Sequence, residues 1–256
     1  MEKRTKNQER KSLVVKHNDL LRKTRYSLTA TEQKILIYLV SKIDKNDKEL
    51  RKVSFSVREF CEITDIKPGG EAYQRLKDTI ISILSKRWFI KIDDNHERAF
   101  GWLYGEPTIE IGSGVVELEL SPTLEPYLIE LQANFTKYEL INILTLRSSN
   151  SIRLYELFKS YLWQHHWKVS VNEFKEMLNM ENKYEEFKYL KKQVIKPALE
   201  EINTYTDLVV SVETIKEGRK IEYLDFTIDE KQGYQLTMDW LLAQEERLGG
   251  VISLTE

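Results

Sequence analysis

The sequence is poor in the features that mark secreted and membrane proteins. Its only cysteine is Cys61, which excludes an internal disulfide and favours a reducing cytosol. Because Cys61 falls in a predicted helix, we interpret it as a small apolar core residue and not as a reactive thiol. No apolar run approaches the roughly 18 residues of a membrane span. The charged segment 1–12 lacks the apolar core of a signal peptide, so we expect a cytoplasmic protein.

The chain also lacks the excess of basic over acidic residues by which many DNA-binding proteins are recognised. It has 39 Lys and Arg against 41 Asp and Glu, for a formal net charge of −2. The charges are nevertheless segregated along the chain. Residues 188–196 contain lysines without an acid, whereas 117–130 is rich in glutamate. Local clusters of charge are therefore more informative than the net charge of the chain.

Motifs for catalysis are missing as well. There is no G-x-x-x-x-G-K-[S/T] sequence, which excludes a P-loop ATPase. A metal-dependent nicking enzyme needs two histidines separated by one residue, but His165 and His166 are adjacent, so their side chains diverge. The other histidines are isolated, and Glu117 and Glu119 have no basic partner nearby in sequence. We therefore predict that the protein is not an enzyme and has no catalytic residue, metal site or cofactor.

What the sequence does contain is an internal repeat. The segment VREFCEI at 57–63 recurs as VNEFKEM at 171–177, with the shared pattern V-x-E-F-x-E-[I/M]. The register then holds, because Tyr73 aligns with Phe187 and Leu76 with Leu190. A short helix, a turn and a longer helix are thus predicted twice. A chain of 256 residues has room for about two such domains.

Both copies show the element order of a winged helix-turn-helix. Hydrophobic periodicity and turn residues predict, in the first copy, a helix with Ser or Thr caps within 27–32, an extended segment at 53–56, helices at 57–64 and 71–87, a hairpin of 88–92 and 100–104, and a strand at 116–120. In the second copy they predict a helix from Ser151, an extended segment at 168–170 with Ser170 as cap, helices at 171–178 and 184–203, and strands at 208–214 and 223–228.

We therefore predict an α+β fold of two tandem winged-helix domains (helix-turn-helix plus β-hairpin) related by internal duplication. The predicted boundaries are 13–134 for the N-terminal domain and 135–231 for the C-terminal domain. Residues 1–12 are predicted to be a flexible arm. Residues 232–256 are predicted to be a tail with a short helix near 238–247.

The longer helix of the second copy has the pattern of a DNA-contacting helix. On a helical wheel its apolar residues face one side, and Lys188, Lys192 and Lys196 face the other, with Lys191 at the margin. Lysines spaced in this way can neutralise consecutive phosphates. A solvated helix face would give the same pattern. The predicted hairpin tip favours DNA, because it carries Lys216, Arg219 and Lys220 where a wing would touch the backbone.

The matching helix of the first copy is less basic. It offers Arg75 and Lys77 as candidate DNA-contacting residues, but Asp78 and Ile81 share the same outward face. We predict that the first copy binds DNA less tightly than the second, or that it forms a protein–protein surface.

The motifs of both copies together resemble those of a known family. In the second copy they are SIRLYEL at 151–157, VSV-x-EF at 169–174, Tyr184, KKQVIKPALEEIN at 191–203 and IK-x-GRK at 215–220. In the first copy they are VVK-x-NDL at 14–20 and LT-x-x-EQ at 28–33. Over about residues 13–230, the chain resembles the iteron-binding replication initiators of theta-replicating bacterial plasmids.

The resemblance implies a plasmid replication initiator that binds direct repeats (iterons) in double-stranded DNA at the origin. It implies melting of adjacent A·T-rich DNA and recruitment of host replication initiation and helicase-loading proteins. It also implies a homodimer, formed through the N-terminal domain and in equilibrium with monomer, that represses the initiator's own promoter. The protein would then be associated with the bacterial nucleoid or plasmid.

Within the family, DNA contacts come mainly from the second copy. The positions that match here are Lys188, Lys191, Lys192, Arg219 and Lys220. This sequence departs from the family where Glu185 and Glu186 stand at the predicted helix start, since carboxylates repel phosphate. A tandem winged-helix transcription regulator without a replication role is the alternative, because the fold alone does not distinguish the two functions.

Overall fold

The chain divides into two compact units. In the computed structural model, which describes residues 10–64, 67, 69–93 and 95–232, the first unit comprises the residues up to Thr24 and Leu28–Leu144. The second unit comprises Arg25–Ser27 and the residues from Thr145 onward. This division lies further along the chain than the predicted boundary between 134 and 135. The helix predicted near 238–247 lies outside the described residues.

The elements up to residue 144 alternate between helices and strands. In chain order they are β1 (Leu13–His17), α1 (Asn18–Arg22), β2 (Thr24–Arg25), α2 (Ala30–Ser41), β3 (Lys52–Ser56), α3 (Val57–Thr64), α4 (Gly70–Ser85), β4 (Trp88–Lys91), β5 (Glu97–Phe100), β6 (Leu103–Ile109), β7 (Val115–Leu120), a 3-10 turn (Pro122–Leu124), α5 (Glu125–Leu128), β8 (Phe135–Glu139) and α6 (Ile141–Leu144).

A three-stranded sheet with the order β3-β7-β6 completes the winged helix of the first unit. Strand β3 leads directly into α3, and α3 and α4 form the helix-turn-helix. The β6–β7 hairpin then returns to the sheet, where Val116 of β7 lies opposite Phe55 of β3. The wing of the first unit is therefore β6–β7.

The return strand predicted at 100–104 is wrong. Strand β4 pairs instead with β5, whose last residue, Phe100, lies opposite Trp88. Trp102 and Leu103 are both buried, which breaks the in–out alternation of a single strand, and Leu103 begins β6 in the other sheet. The rings of Trp88, Phe100 and Trp102 pack together, with centroids 6.1–6.3 Å apart. The β4–β5 hairpin is thus anchored by aromatic residues between the helix-turn-helix and the wing.

Strands from the two ends of the first unit also pair with each other. Strand β1 runs antiparallel to β8, with Leu13 opposite Glu139 and His17 opposite Phe135. A side-chain hydrogen bond reinforces this contact, since the Thr136 hydroxyl donates to the Asn18 amide oxygen at 2.6 Å. Segment 135–139 therefore pairs within the first unit, although it was predicted to belong to the second domain.

The second unit repeats the same order of elements within residues 149–230. Its elements are α7 (Ser149–Tyr161), a 3-10 turn (Leu162–Gln164), β9 (His166–Ser170), α8 (Val171–Met177), α9 (Phe187–Leu190), a π-helical turn (Lys191–Ile195), α10 (Lys196–Tyr205), β10 (Leu208–Glu217) and β11 (Lys220–Glu230).

The sheet of the second unit matches that of the first. Its order is β10-β11-β9, so the strand before the helix-turn-helix again pairs with the last strand of the wing. In each unit a helix, a strand, two helices and a hairpin follow in the same order. This shared topology confirms the predicted fold of two winged-helix domains.

The repeated V-x-E-F-x-E motif holds the first helix of each helix-turn-helix in place. The Ser56 and Ser170 hydroxyls accept hydrogen bonds from the Glu59 and Glu173 backbone N–H groups at 3.2 and 3.1 Å, so both serines are N-caps. The motif phenylalanines, Phe60 and Phe174, are fully buried. Each cap fixes where the helix begins, and each phenyl ring anchors it to the core.

A buried carboxylate links two helices of the first unit. Glu32, 2% exposed, accepts hydrogen bonds from Lys86 Nζ at 2.6 Å, from the Ser82 hydroxyl at 2.6 Å and from the Thr29 backbone N–H at 2.7 Å. Burial would raise the pKa of Glu32, but these hydrogen bonds outweigh it and hold the pKa below its ordinary value of 4.5. Folding therefore favours the ionised form.

Replacing Glu32 with Gln should destabilise the first unit by about 1–3 kcal/mol at pH 7. A lowered folded-state pKa gives stability that is present above the unfolded-state pKa and is lost as the pH falls through the folded-state pKa. The difference between wild type and Glu32→Gln should therefore shrink below about pH 4. Urea denaturation across this pH range measures it. Glu71→Gln, which removes an exposed i,i+4 partner of Arg75, is the matched control, and a pH-independent difference would contradict the expectation.

The described helices are all too short or too polar to cross a lipid bilayer.

Candidate nucleic-acid interface

The longest helix of the second unit is not a uniform α-helix. Segments α9, the π turn and α10 follow one another without a break from Phe187 to Tyr205, and we call them together the recognition helix. The Lys196 backbone N–H donates to the carbonyl of Lys191, five residues earlier, where an α-helix would use the residue four earlier. A helical wheel with a uniform angle per residue therefore does not describe this helix.

The recognition helix also begins later than predicted. Tyr184 lies in the left-handed region with φ +54°, and Glu186 is the extended N-cap residue before Phe187. Glu185 and Glu186 therefore precede the helix and do not form its first turn. Their carboxylates are exposed in the loop between α8 and α9.

The lysines predicted to contact DNA lie on the solvent side of the recognition helix. Lys188, Lys191, Lys192 and Lys196 are exposed, as is Tyr189 among them, while Leu190, Val194 and Ile195 are buried. Gln193, which was not among the predicted DNA-contacting residues, is exposed as well. The helix thus presents a basic and polar face opposite its core face.

Local contacts divide these lysines into two groups. Lys188 Nζ lies 2.7 Å from Glu186 Oε2 and 4.8 Å from the Tyr189 ring centre, and Lys196 Nζ lies 3.7 Å from Glu200 Oε1. Among the residues that the structure describes, Lys191 and Lys192 have no ion-pair partner. Of these four lysines, Lys191 and Lys192 are therefore the most available to an external anion.

The wing of the second unit ends in a tight basic turn. Glu217 lies opposite Lys220, so Gly218 and Arg219 form a two-residue loop, and Gly218 has a positive φ of +62°. A glycine with positive φ at the first loop position is typical of a type II′ turn. The side chains of Lys216, Arg219 and Lys220 are all exposed there. The hairpin register shifts between Ile215 and Lys216, where a bulge bends the tip.

The corresponding cations of the first unit are engaged within their own helix. Arg75 lies 3.5 Å from Glu71, and Lys77 Nζ lies 4.7 Å above the Tyr73 ring. The wing tip, EIGSG at 110–114, contains no cation. The two units therefore share a fold but differ in the charge of the surfaces that would meet DNA.

Family comparison agrees with this architecture. The family model described as initiator replication protein, WH1, matches residues 13–159. The model described as initiator Rep protein, WH2, matches residues 170–228. The chain belongs to the initiator replication protein family. The predicted family is thereby confirmed, and a role in initiating replication by DNA binding follows for this initiator.

The initiator is also similar to individual proteins. The initiator is 29% identical over 226 residues to an Escherichia coli replication initiation protein, covering 85% of this chain and 69% of the relative. It is 25% identical over 264 residues to the Escherichia coli PI protein, covering 87% of this chain and 85% of the relative. A crystal structure of domains 2 and 3 of RctB is 14% identical with a TM-score of 0.48, covering 82% of this chain and 86% of that one.

Three of the four histidines of this initiator contact carboxylates, in separate places. His165 Nδ1 lies 2.9 Å from Asp229, His166 contacts Asp225, and His96 Nδ1 lies 2.9 Å from Asp93. In the described part of the chain, no three His, Cys, Asp or Glu side chains are grouped so that they could hold a metal ion. These histidines form ion pairs or hydrogen bonds at the surface.

Replacing Arg219 with Ala should weaken DNA binding without changing sequence preference. A phosphate contact contributes a slope of about 0.9 in log K against log salt, which corresponds to roughly fivefold in affinity at 0.15 M salt. Titration of specific and random duplexes at several salt concentrations measures both quantities. Glu217→Gln, at the same tip, is the matched control and should leave binding unchanged or strengthen it. A selective loss for the specific duplex would mean that Arg219 reads bases.

Proposed function

We propose that this initiator binds direct repeats at a plasmid origin mainly through the recognition helix and wing of its second unit. The observation that carries the proposal is the exposure of Lys191 and Lys192 without ion pairs to other described residues. Cations in this state need not break an internal contact to reach phosphate. The basic wing tip supports the same assignment, because a wing contacts the DNA backbone beside the helix.

Lys188 and Lys196 are proposed as secondary contacts. Each must leave an acidic neighbour to reach a phosphate, which reduces its net contribution. Arg75 and Lys77 in the first unit are proposed as weaker backbone contacts for the same reason. The proposed order of contributions is therefore set by what each cation already touches.

We further propose that the initiator opens A·T-rich DNA beside the repeats and recruits host replication initiation and helicase-loading proteins. The first unit is proposed to form the homodimer that represses the initiator's own promoter. The low cationic character of its helix and wing supports a protein-contacting role. Because plasmid DNA is the proposed partner, the site of action would be the bacterial cytoplasm.

Footprinting on plasmid DNA that carries the initiator's own gene tests this proposal. Protection of several tandem repeats, each about two helical turns long, is the expected result. Reactivity of unpaired thymines to permanganate in the neighbouring A·T-rich segment would support melting. Protection of a single promoter operator, with no repeats and no melting, would instead support the transcription regulator.

We propose that the initiator acts by binding alone and cleaves no DNA strand. Supercoiled origin plasmid incubated with the protein and Mg²⁺ or Mn²⁺ should remain supercoiled after the protein is removed. A variant with both His165 and His166 replaced by Ala is the matched control. Nicking by the wild type that this variant loses would overturn the proposal.

A further inference from the structure

The π turn in the recognition helix has a cause in the sequence. Pro197, the second residue of α10, has no backbone N–H and cannot donate a helical hydrogen bond. In a regular α-helix its ring would also collide with the carbonyl of Gln193, four residues earlier. The wider π turn, closed by the hydrogen bond from Lys196 to Lys191, separates these groups. Pro197 therefore favours the wide turn immediately before it.

The apolar residues of the helix fit the same wide turn. Leu190, Val194, Ala198 and Ile202 are spaced by four and are all at most 1% exposed. On a helix of 3.6 residues per turn, each step of four drifts by about 40° around the axis, or about 120° over three steps. A π turn reduces this drift because it has more residues per turn than an α-helix. The core spacing and Pro197 thus support the same geometry independently.

The wide turn has an outer face of polar side chains. Lys191, Lys192 and Gln193 are consecutive and all exposed, and the next two residues, Val194 and Ile195, are both buried. The five-residue turn therefore carries three consecutive polar side chains on its outer face. The third of them is the carboxamide of Gln193, next to Lys191 and Lys192.

The Gln193 carboxamide is unengaged within the described structure. By contrast, the other carboxamide of the helix, that of Asn203, exchanges two hydrogen bonds with the Val210 backbone at 2.9 and 2.7 Å. Lysine contacts to phosphate position a protein on DNA but carry no sequence information. A glutamine carboxamide has one donor and one acceptor side by side, which match N7 and the N6 amino group of adenine in the major groove.

We propose that Gln193 reads an adenine in the major groove, and that Pro197 is a positioning residue that directs Gln193 there through the π turn. Gln193 lies in the N-terminal half of the recognition helix, the half that contacts base edges in helix-turn-helix proteins. The inference rests on the proposed DNA-binding function and adds to it a residue that determines specificity. The lysines around Gln193 supply affinity, and Gln193 supplies discrimination at one base pair.

The test starts from duplexes that the wild-type chain selects from a randomised double-stranded DNA library. Affinities are then measured for every single-base substitution of the selected site. Gln193→Ala should lose a preference for adenine of roughly 5- to 150-fold at one position and keep the preferences elsewhere. Gln193→Arg should change the preferred base at that position from adenine to guanine, since an arginine fork matches guanine O6 and N7.

Pro197→Ala tests the positioning role. It restores the missing N–H, so the helix can return to a regular α turn, and thermal stability should not fall. Its preference at the Gln193 position should nevertheless fall towards that of Gln193→Ala, whereas Lys192→Ala should weaken all sequences alike. Full preference retained by Pro197→Ala would overturn the positioning role, and full preference retained by Gln193→Ala would overturn base reading.

The same data separate this inference from the function on which it rests. A wild type that selects specific duplexes, together with unchanged preferences in both variants, would overturn the inference alone. A wild type that selects no sequence would overturn sequence-specific binding, and the inference with it. A uniform rise in affinity for Gln193→Arg, without a change of preferred base, would assign position 193 to the phosphate backbone.

Discussion

Replacing Lys191 and Lys192 together with Ala should lower the affinity for origin DNA by roughly 30-fold at 0.15 M salt. Both side chains are exposed and have no ion pair with another described residue, so their charge is fully available to phosphate. Two lost phosphate contacts should reduce the slope of log K against log salt by about 1.8. Fluorescence anisotropy titrations between 0.05 and 0.3 M salt, roughly the range in which counterion release dominates, measure both values.

The matched control removes the same number of charges from the first unit. Arg75→Ala combined with Lys77→Ala should cost less than about fivefold, because both cations are already engaged with Glu71 and Tyr73. The two double variants have the same net charge. Equal losses would therefore show that overall charge, and not the recognition helix of the second unit, determines binding.

Replacing Phe174 with Ala should destabilise the second unit by about 3–5 kcal/mol and abolish its DNA binding near 37 °C. The Phe174 ring lies 6.2 Å from that of Trp167 and 5.8 Å from that of Phe226, and the side chain is fully buried. Removing it leaves a cavity at the centre of an aromatic cluster. Hydrogen exchange read by mass spectrometry measures the loss separately for each unit.

The internal duplication provides an equivalent substitution in the first unit with which Phe174→Ala can be compared. Phe60 occupies the same place in the first copy of the motif and is also fully buried. Phe60→Ala should therefore destabilise the first unit while the second retains its protection. Asn172→Ala, at an exposed position on the helix of Phe174, should change stability by less than about 0.5 kcal/mol. Simultaneous loss of protection in both units after a single substitution would show that they unfold together.

Local signals in the sequence were sufficient for the helix-turn-helix elements. Ser56 and Ser170 cap the predicted helices, and the two phenylalanines of the repeat are core residues, because capping and periodicity depend on neighbours in the chain. Pairings between strands that are far apart in the sequence were not predictable in this way. No local pattern specifies that β1 pairs with β8, or that the chain after Phe100 leaves one sheet for another.

The π turn shows a different limit of sequence-based prediction. A helical wheel with a fixed angle placed Lys191 at the margin and did not select Gln193. The spacing of four between Leu190, Val194, Ala198 and Ile202, followed over the whole helix and combined with Pro197, contained the missing signal. The i,i+4 spacing of Arg75 with Glu71 and of Lys196 with Glu200 is visible in the sequence. The contact of Lys188 with Glu186 is not, because it depends on where the helix begins.

The pairing of β1 with β8 sets an order of events during synthesis. Strand β1 emerges from the ribosome early, but its partner follows only after most of the first unit has been made. Because synthesis adds about 5–20 residues per second, β1 is without its partner strand for several seconds or more. During that time its backbone N–H and C=O groups are not paired with β8. The second winged helix is contiguous and meets no such delay. A nascent chain that stops before residue 135 would therefore present β1 to other extended chains or to chaperones.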